Sequence, residues 1–161
     1  MLRDARSGFD EIGVWRTDGN LLPWYTLPPM SRATIFLIEE DDETRRLLVN
    51  NLKKEGYHLL LAVDEEDARD RVGDGLLEAD LILINLVGKT PEDVLSIGRG
   101  IREYGKYDGH TPLVVMAEKY GPDLEGTDVN VSDNDWITYP EDHEQLERLL
   151  ARLTSQANLN S

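Results

Sequence analysis

The stretch DLILIN, which runs from Asp80 to Asn85, places four consecutive aliphatic residues between two polar ones. An uninterrupted apolar run of this length is typical of a strand that is buried on both faces, as the central strands of parallel sheets are. Ligands of open parallel sheets bind just beyond the carboxyl ends of the strands. We therefore expect the side chain of Asn85, an amide, to face whatever site the protein has.

Other apolar stretches on both sides of this one alternate with helical patterns. The further predicted strands are ATIFLI from Ala33, YHLLLAV from Tyr57, PLVVMA from Pro112 and the brief WIT from Trp136. Two predicted helices start after N-capping aspartates, one at Asp41 or Asp42 and one at Asp64. Two further helices are predicted to start at about Glu92 and at about Asp142, and the last of them ends at Leu153. The segment from Glu118 to Asp135 is rich in Gly, Asp and Asn, which predicts at most a short, frayed helix. This alternation predicts a doubly wound α/β sandwich around a five-stranded parallel sheet.

The composition excludes several classes of function. The net charge is −15, from 17 basic and 32 acidic residues, and it repels nucleic acids and anionic membranes. No stretch approaches the roughly 18 apolar residues of a membrane span, and the first residues lack the hydrophobic segment of a secretory signal. The absence of cysteine excludes disulfides and thiol chemistry. We expect a cytoplasmic protein that binds neither nucleic acid nor membrane.

The first 30 residues do not share the periodicity of the rest. They hold Trp15, Trp24 and three prolines, which favours an N-terminal extension. Two interpretations stay open: residues 1–30 are flexible or follow a misassigned start, with Met30 as the natural one, or they form a tether whose aromatic residues dock elsewhere. We assign residues 31–154 to the main domain and 155–161 to a frayed tail.

Several motifs between Ser31 and Leu153 resemble the receiver domain of two-component response regulators. The stretch IFLIEEDDETRRLL is similar to the family's first strand, acidic pair and first helix, and AVDEEDA to the turn into the second helix. DLILIN resembles the third strand, TPLVVMA the fourth, and DWITYP the fifth strand with its following proline. The resemblance implies a flavodoxin-like, receiver-like three-layer fold.

The resemblance also implies a set of site residues. In the family an aspartate on the third strand accepts a phosphoryl group, and Mg²⁺ is held by that aspartate and the acidic pair; a hydroxyl residue and a lysine bind the phosphoryl oxygens. This chain keeps the acidic pair as Glu39-Glu40 and the proline as Pro140, which in the family often follows a cis bond. The acceptor position is Asn85, the hydroxyl position Ala117 and the lysine position Tyr139.

These replacements remove the chemistry of phosphorylation. A carboxylate attacks phosphorus as an anion, whereas the amide of Asn85 carries no charge and forms no acyl phosphate. The lost charge also weakens cation binding, since a unit charge at about 4 Å and an effective dielectric of about 20 contributes roughly 4 kcal/mol. Glu39, Glu40 and the Asn85 carbonyl would hold at most a weak Mg²⁺ or Ca²⁺. Ala117 donates no hydrogen bond and Tyr139 brings no positive charge.

The sequence therefore favours a degenerate receiver, or pseudo-receiver, without catalytic residues and with no required cofactor. We expect it to bind a protein partner, or itself, through the fourth helix, fifth strand and fifth helix, about Glu118 to Leu153, and to act alone because no output domain follows. The alternative is a switch driven by a small ligand or a divalent metal at the acidic end of the sheet. Enzymatic activity is disfavoured because the loop after the first strand, EEDDE, repels phosphate. His58, His110 and His143 lie far apart in the sequence, so we predict no metal ligation by them.

Overall fold

The computed structural model divides the chain into two units, Met1–Ser31 and Arg32–Ser161. The backbone is described for residues 8–9, 14–17, 20–23, 32–107 and 110–160, and side chains are described for 32–107 and 110–156. None of the helices in these residues has the length and apolar character needed to cross a membrane.

The first unit contains three short antiparallel strands, which the sequence pattern did not predict. They are β1 (Gly8–Phe9), β2 (Val14–Thr17) and β3 (Asn20–Pro23), in the order β1-β2-β3. Strands of two to four residues are too short to display a hydrophobic period. The flexibility of residues 1–30 and the position of the natural start stay predictions.

The first four strands of the second unit alternate with helices, and the unit's three-layer α/β fold confirms the prediction of a flavodoxin-like sandwich. Its elements are β4 (Thr34–Glu39), α1 (Asp42–Lys54), β5 (His58–Ala62), α2 (Glu65–Val72), β6 (Leu81–Asn85), α3 (Pro91–Tyr104), β7 (Leu113–Met116), β8 (Thr127–Ser132), β9 (Asp135–Tyr139) and α4 (His143–Asn160). The strand order is β5-β4-β6-β7-β9-β8, and β4, β5, β6, β7 and β9 run parallel. The last helix continues beyond its predicted end at Leu153.

Burial on both faces explains the apolar run of β6, which lies between β4 and β7. Ile82 and Ile84 belong to one hydrophobic core, which includes residues of α2 and α3. Leu81 and Leu83 belong to the other, which includes residues of α1 and α4. Successive side chains of a strand point to opposite faces, so a strand covered on both sides requires apolar residues at every position.

Hydrogen-bonded caps fix where three helices begin, close to the carboxyl ends of the strands. The Asp41 carboxylate accepts from the backbone N–H of Thr44 at 2.7 Å, and the Asp64 carboxylate accepts from Asp67 N–H at 2.7 Å. At α3 the hydroxyl of Thr90 accepts from Asp93 N–H, and Pro91 occupies the first turn. Such caps satisfy backbone donors that the helix leaves unpaired, so each strand-to-helix loop has a defined path.

The sheet has six strands and is mixed, which corrects the prediction of five parallel strands. The segment after β7, predicted to hold at most a frayed helix, contains β8, which pairs antiparallel with β9 across Asp133-Asn134. Two interactions hold this hairpin in place. The Asp128 carboxylate accepts from the hydroxyl of Thr138 at 2.7 Å and from the amide of Gln145 at 3.0 Å. A fourth helix is therefore absent between β7 and β9, a segment that the structure describes throughout.

Candidate functional site

Glu39 and Asn85 lie side by side at the carboxyl ends of β4 and β6, where their Cα atoms are register partners. Both side chains are buried. The Nδ2 group of Asn85 donates to Glu39 Oε1 at 3.1 Å and to Oε2 at 2.9 Å. The backbone N–H of Asp41 donates to the same Oε1 at 2.9 Å. The buried carboxylate of Glu39 is thus hydrogen-bonded on both oxygens without a cation.

Burial raises the pKa of the Glu39 carboxyl above its usual value of 4.5. Removing a carboxylate from water penalises its charged form, and this penalty outweighs the hydrogen bonds from Asn85 and Asp41, which lower the pKa. The guanidinium of Arg45 lies nearby and donates to the backbone oxygen of Glu39 at 2.7 Å. The charge on Glu39 therefore depends on the amide donors that surround it.

Two further carboxylates bind the backbone of the loop that follows β6. Glu40 Oε1 accepts from the N–H of Val87 at 3.1 Å, and Glu118 Oε2 accepts from the N–H of Gly88 at 3.2 Å. Glu40 belongs to the predicted acidic pair, but Glu118 was not predicted as a site residue. The position of Glu118 two residues after the apolar strand β7 was the available signal, since strand ends meet at this edge of the sheet. Both loop donors are satisfied by carboxylates of the chain itself.

Ala117 directly follows β7, and Tyr139 is the last residue of β9. Both positions agree with the expected strand ends. The backbone N–H of Ala117 donates to Thr138 O at 2.9 Å, which extends the ladder between the two strands. The Tyr139 ring is buried and packs edge-to-face on Tyr120, with ring centroids 5.4 Å apart. Burial raises the pKa of the Tyr139 hydroxyl above 10, so this group is neutral at physiological pH.

Pro140 contacts the same aromatic pair. The hydroxyl of Tyr120 donates a short hydrogen bond to the carbonyl oxygen of Pro140. The Tyr139–Pro140 peptide bond is trans, whereas the resemblance implied that a cis bond was common at this position. Tyr139 and Pro140 thus belong to a packed aromatic corner rather than to an open, charged edge.

The acidic pair does not fit a magnesium ion as it is arranged. Both oxygens of Glu39 accept from N–H donors, and Glu40 is turned towards the N–H of Val87. The hydrogens of the Asn85 amide point at the Glu39 carboxylate and occupy the place that a cation would take. A cation that binds Glu39 would therefore have to displace this amide. A metal-bound state of this pair requires a rearrangement of at least two side chains.

A shallow cleft of about 540 Å³ opens beside Glu40 and is strongly acidic. Its lining consists of Glu40, Asp64, Glu65, Glu66, Arg69, Asp70, Leu86 and Lys89. Arg69 is paired with Glu65 at 3.1 Å, which leaves Lys89 as the lining cation without a described ion pair. The cleft therefore favours cationic over anionic ligands.

Comparisons with known proteins agree with this fold. No protein-family model matches the chain. It is 24% identical over 131 residues to the uncharacterized transcriptional regulatory protein YkoG of Bacillus subtilis, and the match covers 81% of this chain. The chain spans about half the length of that relative, with 54% of the relative covered by the match.

Solved receiver domains have the same architecture. The chemotaxis protein CheY4 of Vibrio cholerae superposes with a TM-score of 0.56 at 18% identity, covering 76% of this chain and 99% of CheY4. The receiver domain of the sensor histidine kinase PA1611 of Pseudomonas aeruginosa, which has a magnesium ion in its active-site cleft, gives 0.55 at 22% identity, covering 78% and 99%. At these identities the likeness establishes the fold.

Proposed function

We propose that the second unit is a pseudo-receiver, a non-catalytic signalling domain that acts by protein–protein interaction without phosphorylation, within a two-component or phosphorelay-type pathway. The observation that carries this proposal is the contact between Asn85 and Glu39. The residue at the acceptor position is bound through its amide nitrogen to a buried carboxylate. It therefore presents no nucleophilic anion, and no carboxylate to a cation.

The other two replaced positions support the same function. Phosphoryl groups are held by positive charge and hydrogen-bond donors. Ala117 has no side-chain donor, and the Tyr139 ring is buried against Tyr120. Conversion of the site back to a phosphorylatable one would thus need changes at several positions together.

The loop after β6 supports an input other than phosphate. The N–H groups of Val87 and Gly88 would be natural donors to an anion at the end of β6. Glu40 and Glu118 already occupy them. These carboxylates supply the negative charge from inside the chain, so the loop has a defined conformation without a bound anion. We infer that the domain presents one conformation to its partner.

We propose that the partner surface is formed by β8, β9 and α4, within Glu118 to Leu153, with β8 in the place where a fourth helix was expected. As the last strand in the sheet order, β8 leaves one edge unpaired within the described sheet. Val129 and Val131 on this strand are 38% and 41% exposed. Exposed apolar side chains beside an unpaired strand edge are typical of a surface that binds another chain.

The test is incubation of the purified wild-type protein with Mg²⁺ and acetyl phosphate or beryllofluoride, read by intact mass and by backbone NMR shifts. We expect no mass gain and no shifts at Asn85, Ala117 or Tyr139. The Asn85→Asp variant should gain little phosphate, and the triple variant N85D/A117T/Y139K should gain more. A stable adduct on the wild-type protein would contradict the proposal.

A second candidate function is a switch that responds to a small cationic ligand or a divalent metal, and the acidic cleft beside Glu40 favours it. A ligand that binds the native state raises the melting temperature as ln(1 + [L]/Kd). A rise with Mg²⁺ or Ca²⁺ that is abolished in Glu40→Gln would support this function. A melting temperature that is independent of both ions would leave the partner-binding function as the better account.

A further inference from the structure

Three potential metal ligands converge on the face of the second unit where α1 and α4 pack. Glu55 caps the end of α1, His143 is the first residue of α4, and Glu147 follows one turn later. Residues four apart on a helix lie on the same face. One ligand atom from each of the three side chains lies within 4.8 Å of those of the other two.

Glu55 is held in this cluster with half of its carboxylate unsatisfied. Its side chain is 13% exposed, and Oε1 lies 2.5 Å from Nε2 of His143. The second oxygen, Oε2, is buried and accepts no hydrogen bond from any described residue. A buried carboxylate oxygen without a partner is costly, and such groups in a folded protein call for a specific cause such as a bound ion.

The charges in the cluster leave room for a dication. Two carboxylates surround one imidazole, which gives the group a charge of −2 when His143 is neutral and −1 when it is protonated. Glu147 lies within 4.8 Å of the other two ligand atoms and forms no ion pair with a described side chain. A divalent cation would neutralise both carboxylates and give Glu55 Oε2 a partner.

We propose that Glu55, His143 and Glu147 bind a divalent transition-metal ion, with Zn²⁺ as the ion they suit best. An imidazole nitrogen with two carboxylate oxygens is a borderline donor set, which favours Zn²⁺ over the oxygen-preferring Mg²⁺ and Ca²⁺. Zinc accepts three protein ligands with water in the fourth position. Zinc–ligand bonds of about 2.0–2.2 Å place tetrahedral ligands roughly 3.4 Å apart. The Glu55–His143 contact would widen and Glu147 would move inward by side-chain rotation.

The metal would connect two helices that are distant in the sequence. Glu55 and His143 are 88 residues apart, so one ion would join the end of α1 to the start of α4. Because the site uses none of the residues at the strand ends, it is independent of the proposed signalling function. It also revises the expectation that His143 takes no part in metal ligation. That expectation rested on the distance between the three histidines in the sequence and left out carboxylates as partners.

The test uses the full-length protein, freed of metal with a chelator and then titrated with Zn²⁺ by calorimetry. The variants are His143→Gln, Glu55→Gln and Glu147→Gln, and the matched controls are His58→Gln and Glu144→Gln, at exposed positions outside the cluster. We expect one Zn²⁺ per chain, with each ligand variant binding about 10-fold more weakly or worse and both controls binding as the wild type does. Circular dichroism verifies that the variants are folded, and Glu147, at a half-buried position, provides a variant that leaves the Glu55–His143 contact in place.

A second readout reports the geometry directly. Co²⁺ bound in place of Zn²⁺ should give the visible absorption of a tetrahedral site, and this signal should be lost in His143→Gln. The proposal is overturned if the wild type binds no zinc, or if all three ligand variants bind zinc as tightly as the wild type does. Loss of zinc binding in Glu40→Gln together with its retention in Glu55→Gln would place the ion in the acidic cleft and equally overturn the proposal.

Discussion

The amide nitrogen of Asn85 donates hydrogen bonds to both carboxylate oxygens of Glu39, at 3.1 and 2.9 Å, where β4 and β6 end. Two buried polar side chains on neighbouring parallel strands thereby satisfy each other. The partial positive charge of the amide hydrogens lies where a carboxylate at position 85 would require a cation. With an amide at position 85 the pair is hydrogen-bonded without a metal, whereas a carboxylate there would leave two buried negative charges side by side.

Asn85→Asp should lower the melting temperature in metal-free buffer, because it places two carboxylates about 3 Å apart in a buried site. At about 3 Å and an effective dielectric of about 20 this repulsion is at most roughly 5.5 kcal/mol, and protonation of Glu39 relieves part of it. Mg²⁺ should recover much of the loss in the variant while leaving the wild type unchanged, as measured by thermal unfolding with and without the ion. Asn50→Asp, an exposed position on α1, is the matched control and should respond to neither. A variant as stable as the wild type without metal would contradict the proposed role of the amide.

Glu39→Gln should gain stability relative to the wild type as pH rises. Burial raises the pKa of Glu39 in the folded protein above 4.5. The stabilising contribution of such a group is fully present below its unfolded pKa and is lost as pH rises through the folded pKa. The difference in free energy of unfolding between variant and wild type should therefore shift in favour of the variant as pH rises above 4.5, in urea titrations without metal.

Asp135→Asn should destabilise the hairpin of β8 and β9. The Asp135 carboxylate is buried and accepts from Arg99 at 2.7 Å and from Arg102 at 2.7 Å, both on α3. Removing one partner of a buried ion pair costs about 3–5 kcal/mol, and the 45% exposure of Arg99 reduces this to about 2–3 kcal/mol. Urea unfolding at pH 7 measures the loss, and Asp133→Asn, in the exposed turn nearby, should have little effect.

The same residue should contribute to acid sensitivity. Burial alone would raise the pKa of Asp135, but hydrogen bonds from Arg102, Arg99 and Ser132 outweigh it and hold the pKa below 3.8. A carboxylate with a lowered folded pKa stabilises the protein above its unfolded pKa, and the contribution is lost as pH falls through the folded value. The stability of Asp135→Asn should consequently fall less than that of the wild type below about pH 4. Parallel acid limbs for the two proteins would refute this.

Gly98→Ala and Gly100→Ala, both on α3, should change stability in opposite directions. Alanine is favoured over glycine in a helix by about 1 kcal/mol. At Gly98 a Cβ atom would lie 2.8 Å from a methyl group of Leu113, which is fully buried and has no space to move. Overpacking costs about 1–3 kcal/mol and should exceed the helical gain. At Gly100 the nearest atom, 3.1 Å away, belongs to the partly exposed side chain of Arg69, so this variant should be more stable than the wild type. Thermal unfolding of the pair compares the two directly.

The local sequence determined the elements whose burial or capping leaves a clear pattern. The apolar run of β6 is predictable because both faces of the strand are covered, which demands an aliphatic residue at every position. Asp64 is recognisable as a cap, and so is an aspartate at position 41 or 42, because a short acidic side chain satisfies the free N–H groups of a helix start. The position of Asn85 at the end of β6 follows from the same pattern, so its place beside the acidic pair was predictable as well.

The tertiary structure decided the features that depend on partners distant in the chain. The segment TDVNVS of β8 is too polar to predict a strand, and its pairing depends on contacts of Asp128 with Thr138 and Gln145. Glu118 became a site residue only because the loop after β6 offers it a backbone N–H. Glu55 and His143 meet because two helices pack on the same face of the sheet. The local pattern of apolar residues in the sequence indicates which face of an element is buried. The pairing of polar groups across elements depends instead on distances that only the folded chain sets.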